Sequence, residues 1–339
     1  MYVIAFAASL SFVLSLLLTI YYRRVAMKYG IMDVPNERSS HKIPIPRGSG
    51  ITFFLSFNIV LAILVQQGIL TLKYTFPVFL GGPVIMLLGY WDDISSIPAG
   101  VRLSVHMLVA FFVFILISSG FSKDITISFL PEWPWLTTAF CILFIAWFIN
   151  LYNFMDGCDG LATSVGMVGS GLISLLSYIS GHQDLAVTYL ILAYALAGFL
   201  VFNWHPAKVF MGDAGAYFLG YVFGALALVS KMYYDSSLYI HLIIFGLMIV
   251  DATWTLFRRA TRRERVFNAH RQHGFQKLMQ RGWGHARVTS LYVLITVLWL
   301  FPMAAFCMTY PTKSFAFLVA AYVPVFGFVL YLRAGEADA

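Results

Sequence analysis

Charge is what this sequence most lacks. Only 11% of its 339 residues are Asp, Glu, Lys or Arg, against 60% hydrophobic, and the mean hydropathy is +0.81. A soluble domain carries about 25% charged residues. The chain therefore has too little polar surface for a cytosolic globule and falls among polytopic membrane proteins. Cysteine is nearly absent as well. Cys141, Cys158 and Cys307 lie mostly in apolar runs and show neither a disulfide framework nor a zinc spacing. Cys158, between two acids, reads as small filler. The basic stretch that opens a secretory signal is missing too: an apolar run from Tyr2 to Tyr22 precedes Arg23 and Arg24, the order expected of a first transmembrane helix. No internal repeat is visible, so the inverted halves common in transporters are not indicated. The net charge of +7 does not imply nucleic acid, because basic residues in such a chain set topology and meet lipid headgroups.

A helix crosses a bilayer with about 20 apolar residues. Such segments fall at 2–22, 50–67, 75–91, 103–121, 135–152, 162–181, 185–203, 215–233, 237–257, 288–309 and 314–332. The expectation is an all-α bundle of eleven spans forming one membrane domain over 1–339. If the loop after the first span is cytoplasmic, 18 of the 22 basic residues share its side, leaving only Lys73, Lys123, Lys231 and Lys313 opposite. This asymmetry places the N-terminus outside and the C-terminus inside. The cytoplasmic loops are then 23–49, 92–102, 153–161, 203–214 and 258–287.

Unusual polar residues collect on that side. Asp92 and Asp93 end the third span in GYWDD; Asn150, Asn153, Asp156 and Asp159 end the fifth in NLYNFMDGCDG. Asn203, Lys208, Phe210 and Asp213 lie in FNWHPAKVFMGDAG, and Asp251 lies inside the ninth span. Carboxylates from separate helix ends repel one another without a cation, and a hard ion that takes carboxylate and phosphate oxygens suits them. Arg38, Arg102, Lys208 and the His/Arg-rich loop 258–287 add positive charge. Acids for a metal beside cations for phosphate are the equipment of phosphoryl transfer. Bland readings exist for each part. Asp92 and Asp93 could cap a helix, MGDAG could be a turn, Asp251 could pair with Arg258 or Arg259, and His270 and His273 could sit on a surface helix.

Taken together and in order, the motifs PNERSSHKIPIPRGSGI (35–51), GYWDD (89–93), NLYNFMDGCDGLA (150–162), FNWHPAKVFMGDAGAYFLG (202–220) and AHRQHGFQKL (269–278) resemble those of the polyprenyl-phosphate N-acetylhexosamine-1-phosphate transferases. The resemblance implies Asp213 as a magnesium (or manganese) ligand with Asp92 and Asp93 near the metal. It makes Asp92, Asp93, Asp156 and Asp159 the catalytic acids. Substrate would be bound by Asn150, Asn153, Asn203, Lys208, Phe210 (stacked on uracil), Arg38, His41, Arg102, Asp251, His270, Arg271 and His273. Its implied substrates are a UDP-N-acetylhexosamine and undecaprenyl phosphate in a bacterial inner membrane, with the bilayer as environment and a second copy of the chain as the one protein partner allowed.

Two departures from the family pattern stand out: Ala216 replaces the Ser common after the GDxG turn, and the histidine loop is short. The resemblance is accordingly to the O-antigen branch using N-acetyl-fucosamine or N-acetyl-quinovosamine donors. An intramembrane aspartyl protease and a proton-coupled transporter are the rival classes. The first is disfavoured because MGDAG does not meet GxGD, the second because all the clustered acids but Asp251 lie at helix ends. The charge asymmetry is directly testable: a reporter fused after Ala339 should behave as cytoplasmic and one before Met1 as external, and an external C-terminus would remove a span.

Overall fold

Over the described residues, each of the eleven apolar segments is mostly helical in the computed structural model, which describes residues 2–35, 43–118, 127, 133–264 and 270–337. The order is α1 (Tyr2–Tyr29), β1 (Met32–Asp33), β2 (Ile45–Pro46), α2 (Ile51–Gln66), α3 (Leu72–Ser95), α4 (Ala99–Ser118), α5 (Pro134–Met155), α6 (Leu161–Ile179) and α7 (Gln183–Asn203). There follow α8 (Gly212–Tyr234), α9 (Leu238–Ile244), α10 (Gly246–Thr261), α11 (Gly274–Gln280), α12 (His285–Ile295), α13 (Phe301–Thr309) and α14 (Ser314–Tyr331). A π-turn over Thr296–Leu300 makes α12 and α13 one continuous span. The fold is an all-α membrane bundle with one short antiparallel strand pair, β1 with β2.

The span count needs adjusting. Among the described residues, nine helical segments are long and apolar enough to cross a bilayer, or ten if α9 and α10 count as one. That pair bends by 74°. The break falls at Phe245, whose ring is wedged among Phe148, Tyr152 and Phe223. The remaining segment, α2, has only 16 residues. Several helices also run beyond their apolar cores: α1 continues to Tyr29 and α3 through Asp92 and Asp93 to Ser95, so the connecting loops are shorter than hydropathy suggests.

Helix α8 is the axis of the bundle, packed against α2, α3, α4 and α5 and buried on nearly every side. Its Gly- and Ala-rich sequence has lower hydropathy than the lipid-facing helices because it meets protein, and small residues let neighbouring backbones approach. One close backbone approach is at Gly89, where a Cβ would lie 2.4 Å from the Asp213 carbonyl oxygen. Helix α1 docks through its own small stripe, Ala7, Ala8, Ser11, Ser15, Thr19 and Ala26. There Thr19 and Thr52 share a 2.8 Å hydrogen bond and the Ser56 hydroxyl donates to the Ser11 carbonyl at 2.6 Å.

Alternation of direction brings the C-terminal ends of α3, α5, α7 and α10 to the same end of the bundle as the N-terminal ends of α4, α6, α8 and α12. Every acidic motif therefore faces one end. Forcing a methyl group into the α3–α8 contact should be costly. Gly89→Ala should lower stability in detergent by about 1–3 kcal/mol, the usual cost of overpacking. Gly100→Ala, with nothing within 4 Å of its added carbon, should be silent by the same thermal-shift measurement.

Candidate active site

The site begins with the way α8 starts. Asp93, near the end of α3, accepts the backbone N–H of Asp213 on Oδ1 and that of Ala214 on Oδ2, each at 3.1 Å. It thereby neutralises the positive end of the α8 dipole with two charge-assisted bonds. Arg47 closes the arrangement from the first loop, its Nε and Nη2 lying 3.2 and 3.0 Å from Asp93 Oδ1. Gly212 must be glycine here: its φ is +70°, and a Cβ would sit 2.5 Å from Asp93 Oδ2.

Asp92 is equally well held. Its Oδ2 accepts Arg102 Nη1 and the Tyr217 hydroxyl, both at 2.7 Å, and its Oδ1 accepts the Ile97 N–H at 2.6 Å. Asp159 forms a third knot, accepting His205 Nδ1 at 2.7 Å and the Ala207 N–H at 3.1 Å. His285 Nδ1 lies 3.3 Å from its other oxygen. Burial alone would raise the Asp159 carboxyl, but the two imidazoles and the amide hold it down at about 2. The donor atoms of Asp159, His205 and His285 lie within 4.8 Å of one another, a set that could take a transition metal. Hydrogen bonding already accounts for the set, and it ties together the turn after α5, the loop before α8 and the start of α12.

Asp156 and Asp213 are different. The Asp213 carboxylate receives the Asn153 amide on Oδ1. Among the described residues no donor reaches the Asp156 carboxylate. Burial first, and then the charges of Asp213, Asp93 and Asp159, raise the Asp156 carboxyl well above the usual range. An acid pair short of hydrogen-bond donors, where four helix ends converge, fits a hard divalent cation by its donor chemistry. Asp213 and Asp156 would hold the ion. Asp92 and Asp93, expected beside the metal, instead spend their oxygens on Arg102, Tyr217, Arg47 and backbone amides.

The other expected substrate residues divide similarly. Asn203 is buried and bonds inward, accepting the Thr163 hydroxyl at 2.6 Å and donating to the Val209 carbonyl at 3.0 Å, which shapes the loop before α8. Asn150 donates to the Ala146 carbonyl at 2.7 Å and lies 3.5 Å from His106. Asp251 is fully buried, while Arg258 and Arg259 pair with Glu336 and Glu264. It accepts the N–H groups of Gly274 and Phe275 and the Tyr292 hydroxyl. Asp251 is thus turned toward α11 rather than toward open space.

His273 is buried, stacked between Phe154 and Phe275. His270 is half-buried, and burial, with His273 and Arg259 nearby, lowers it to about 3, so it is a neutral imidazole at pH 7. Arg271 and Lys208 are exposed, and Phe210 is half-buried with its N–H bonded to the Pro46 carbonyl at 2.8 Å. Arg38 and His41 lie outside the described residues. Burial pushes the Cys158 thiol up to about 12, in keeping with filler.

Arg47, Tyr217, His205 and His285 were not singled out by the sequence reading. Tyr217 carried a usable signal, lying one turn beyond Asp213 on the same helix face. The two histidines carried none, because only the fold brings residues 159, 205 and 285 together.

Fold and site together define a polytopic membrane protein with a carboxylate-rich cluster at one end of its bundle. Residues 75–231 match the family described as glycosyl transferase family 4. The chain is 31% identical over 309 residues to the "Probable undecaprenyl-phosphate N-acetylglucosaminyl 1-phosphate transferase" of Bacillus subtilis (strain 168), covering 89% of this chain and 84% of that protein. It is 31% identical over 270 residues to the phospho-N-acetylmuramoyl-pentapeptide-transferase of Clostridium kluyveri (strain ATCC 8527), covering 75% and 82% of the two chains. The enzyme of the latter name from Staphylococcus saprophyticus is 27% identical over 298 residues, covering 78% and 87%. The chain belongs to glycosyl transferase family 4, the polyprenyl-phosphate sugar-1-phosphate transferases.

Repulsion at Asp156 carries its own prediction. In chelator, Asp156→Asn should raise the thermal midpoint by a few degrees, because a neutral amide ends the repulsion that the carboxylate meets from Asp213, Asp93 and Asp159. Asp92→Asn, whose amide keeps one acceptor oxygen but sets an NH2 group against the donors of the other, should lower it.

Proposed function

We propose that the chain transfers an N-acetylhexosamine 1-phosphate from a UDP-sugar to undecaprenyl phosphate, releasing UMP, at the cytoplasmic face of a bacterial inner membrane. The observation that carries this reading is the donor-poor pair Asp156 and Asp213, with the partly exposed guanidinium groups of Arg47 and Arg102 near Asp213 and held on Asp93 and Asp92. The gathering of most basic residues on one side supports the orientation.

In this reading a non-bridging oxygen of the lipid phosphate attacks the β-phosphorus of the donor. A new P–O bond forms there while the bond from the β-phosphorus to the oxygen bridging it to the α-phosphorus breaks, and UMP carries that oxygen away. A phosphate monoester has a second pKa near 6, so the nucleophile is mostly dianionic at pH 7 and needs little help from a general base. Magnesium or manganese, when bound, neutralises the diphosphate. Asp213 and Asp156 would hold it, with the Asn153 amide orienting Asp213. Arg47 and Arg102 keep N–H groups for phosphate oxygens while their carboxylate partners fix their position. Catalysis is then mainly positioning and charge stabilisation.

The finer donor assignment rests on the short HRQHGF loop. A neutral His270 offers a hydrogen bond to a sugar hydroxyl or acetamido group, a kind of contact that discriminates strongly between analogues. We assign the chain to initiation of an O-antigen-type glycan on this basis.

Purified protein given UDP-N-acetylhexosamines and undecaprenyl phosphate should yield UMP and a lipid-extractable sugar only with magnesium or manganese present. Labelled UMP should exchange back into the donor, since one diphosphate replaces another. Asp213→Asn should abolish turnover at normal membrane levels. Retained activity in that variant would remove Asp213 from the metal site, and one-way release of UMP would indicate hydrolysis.

A further inference from the structure

The turn that carries Asp156 is not held by its own hydrogen bonds alone. It ends at Gly157, and the nearest neighbour of that glycine is the ring of Phe275, the second residue of α11. A Cβ on Gly157 would meet Phe275 Cζ at 3.0 Å and Cε2 at 3.2 Å. Phe275 is completely buried, with one ring face stacked on His273 at 5.9 Å. Its backbone is fixed from below by Asp251. The Gly274 N–H donates to Asp251 Oδ1 at 2.6 Å and the Phe275 N–H to Oδ2 at 3.2 Å. Tyr292, on α12, donates to the same Oδ2 at 2.7 Å. Gly274 permits this approach, since a Cβ there would lie 3.0 Å from Asp251 Oδ2.

We propose that Phe275 is a positioning residue: anchored by Asp251, its ring wedges against Gly157 and sets where the Asp156 carboxylate points. An unpartnered carboxylate cannot hold its own orientation, so its direction must come from the backbone that bears it. Around that backbone the described contacts include the Phe275 ring and, farther off, the Gln276 amide on one side, and the Cys158 and Asp159 contacts on the other. Loop 270–280 then acts on the reaction through packing as well as through polar side chains facing substrate. The proposal rests on the transferase reading for its kinetic arm only.

The test uses full-length protein in detergent and two readouts. Without nucleotide or lipid, Phe275→Ala should speed amide hydrogen exchange in residues 156–160 by about tenfold or more while leaving α8 unchanged. Phe275→Leu, which keeps an apolar wedge, should recover most of the protection. Gly157→Ala, which pushes on the ring from the other side, should loosen 156–160 and 274–278 together. In the transfer assay, Phe275→Ala should lower kcat about tenfold or more, with KM for the UDP-sugar changed by no more than about threefold, because a misplaced reacting group affects the chemical step most.

Faster exchange confined to 270–280, with 156–160 and kcat unchanged, would overturn the proposal. If Phe275→Ala unfolds globally, Gly157→Ala decides: independent rather than joint loosening of the two segments sinks it. Wild-type protein that shows the exchange coupling but releases no UMP would leave the wedge standing and remove the transferase reading instead.

Discussion

The interaction on which the rest depends is the capping of α8 by the Asp93 carboxylate. A helix N-terminus buried among other helices exposes N–H groups that must be satisfied, and no polar side chain at its own N-cap does so. Asp93 supplies the acceptors from a different helix, and Arg47 balances its charge from a third segment. The bond fixes the rotation of α8. With the rotation set, Asp213 faces Asn153, and Tyr217, one turn later, meets Asp92 and Arg102. Each of those contacts decides where a carboxylate or guanidinium of the cluster stands.

The acids of the site consequently differ in kind although they look alike in sequence. Asp92, Asp93, Asp159 and Asp251 each meet several donors and act as structural anchors, holding respectively a turn after α3, the start of α8, a three-segment knot and the start of α11. Asp156, with no donor among the described residues, and Asp213, with the Asn153 amide, are left with acceptor oxygens to spare. A carboxylate crowded by other acids and short of donors is costly, and a fold tolerates it where a ligand offsets the cost. Stability is given up at Asp156 and recovered in the anchors around it, the usual bargain at sites built for function.

Much of this was legible in the sequence, and the part that was not has physical causes. Apolar runs mark the helices because lipid demands them. The bend at Phe245 left no such mark, since it arises from aromatic packing with residues 148, 152 and 223 that are distant in the chain. The low-hydropathy α8 reads as a weak span for the same reason that it is the best-buried one: its neighbours are protein. Motif positions located the acidic end of the bundle correctly. They could not rank the acids, because saturation of Asp93 depends on backbone amides and that of Asp251 on a glycine approaching from residue 274. A charged residue inside an apolar span reads as functional by default, and Asp251 shows that such a residue can instead serve as an internal anchor.

The brevity of α2 has a consequence for the lipid around it. Its 16 residues make a rod of roughly 24 Å at 1.5 Å per residue, shorter than the ~30 Å hydrocarbon layer. Leu55, Ile59 and Ile63 on its outer face are exposed, so this is a surface that acyl chains must cover. Local thinning of the bilayer is one way such hydrophobic mismatch is relieved, beside snorkelling of flanking side chains and association with another helix. Because α2 begins at Gly50, against the first turn of α8, thinning there draws the headgroup plane inward beside the acids. A lipid phosphate in that leaflet would stand nearer the depth of Asp213 than it would against a full-length helix.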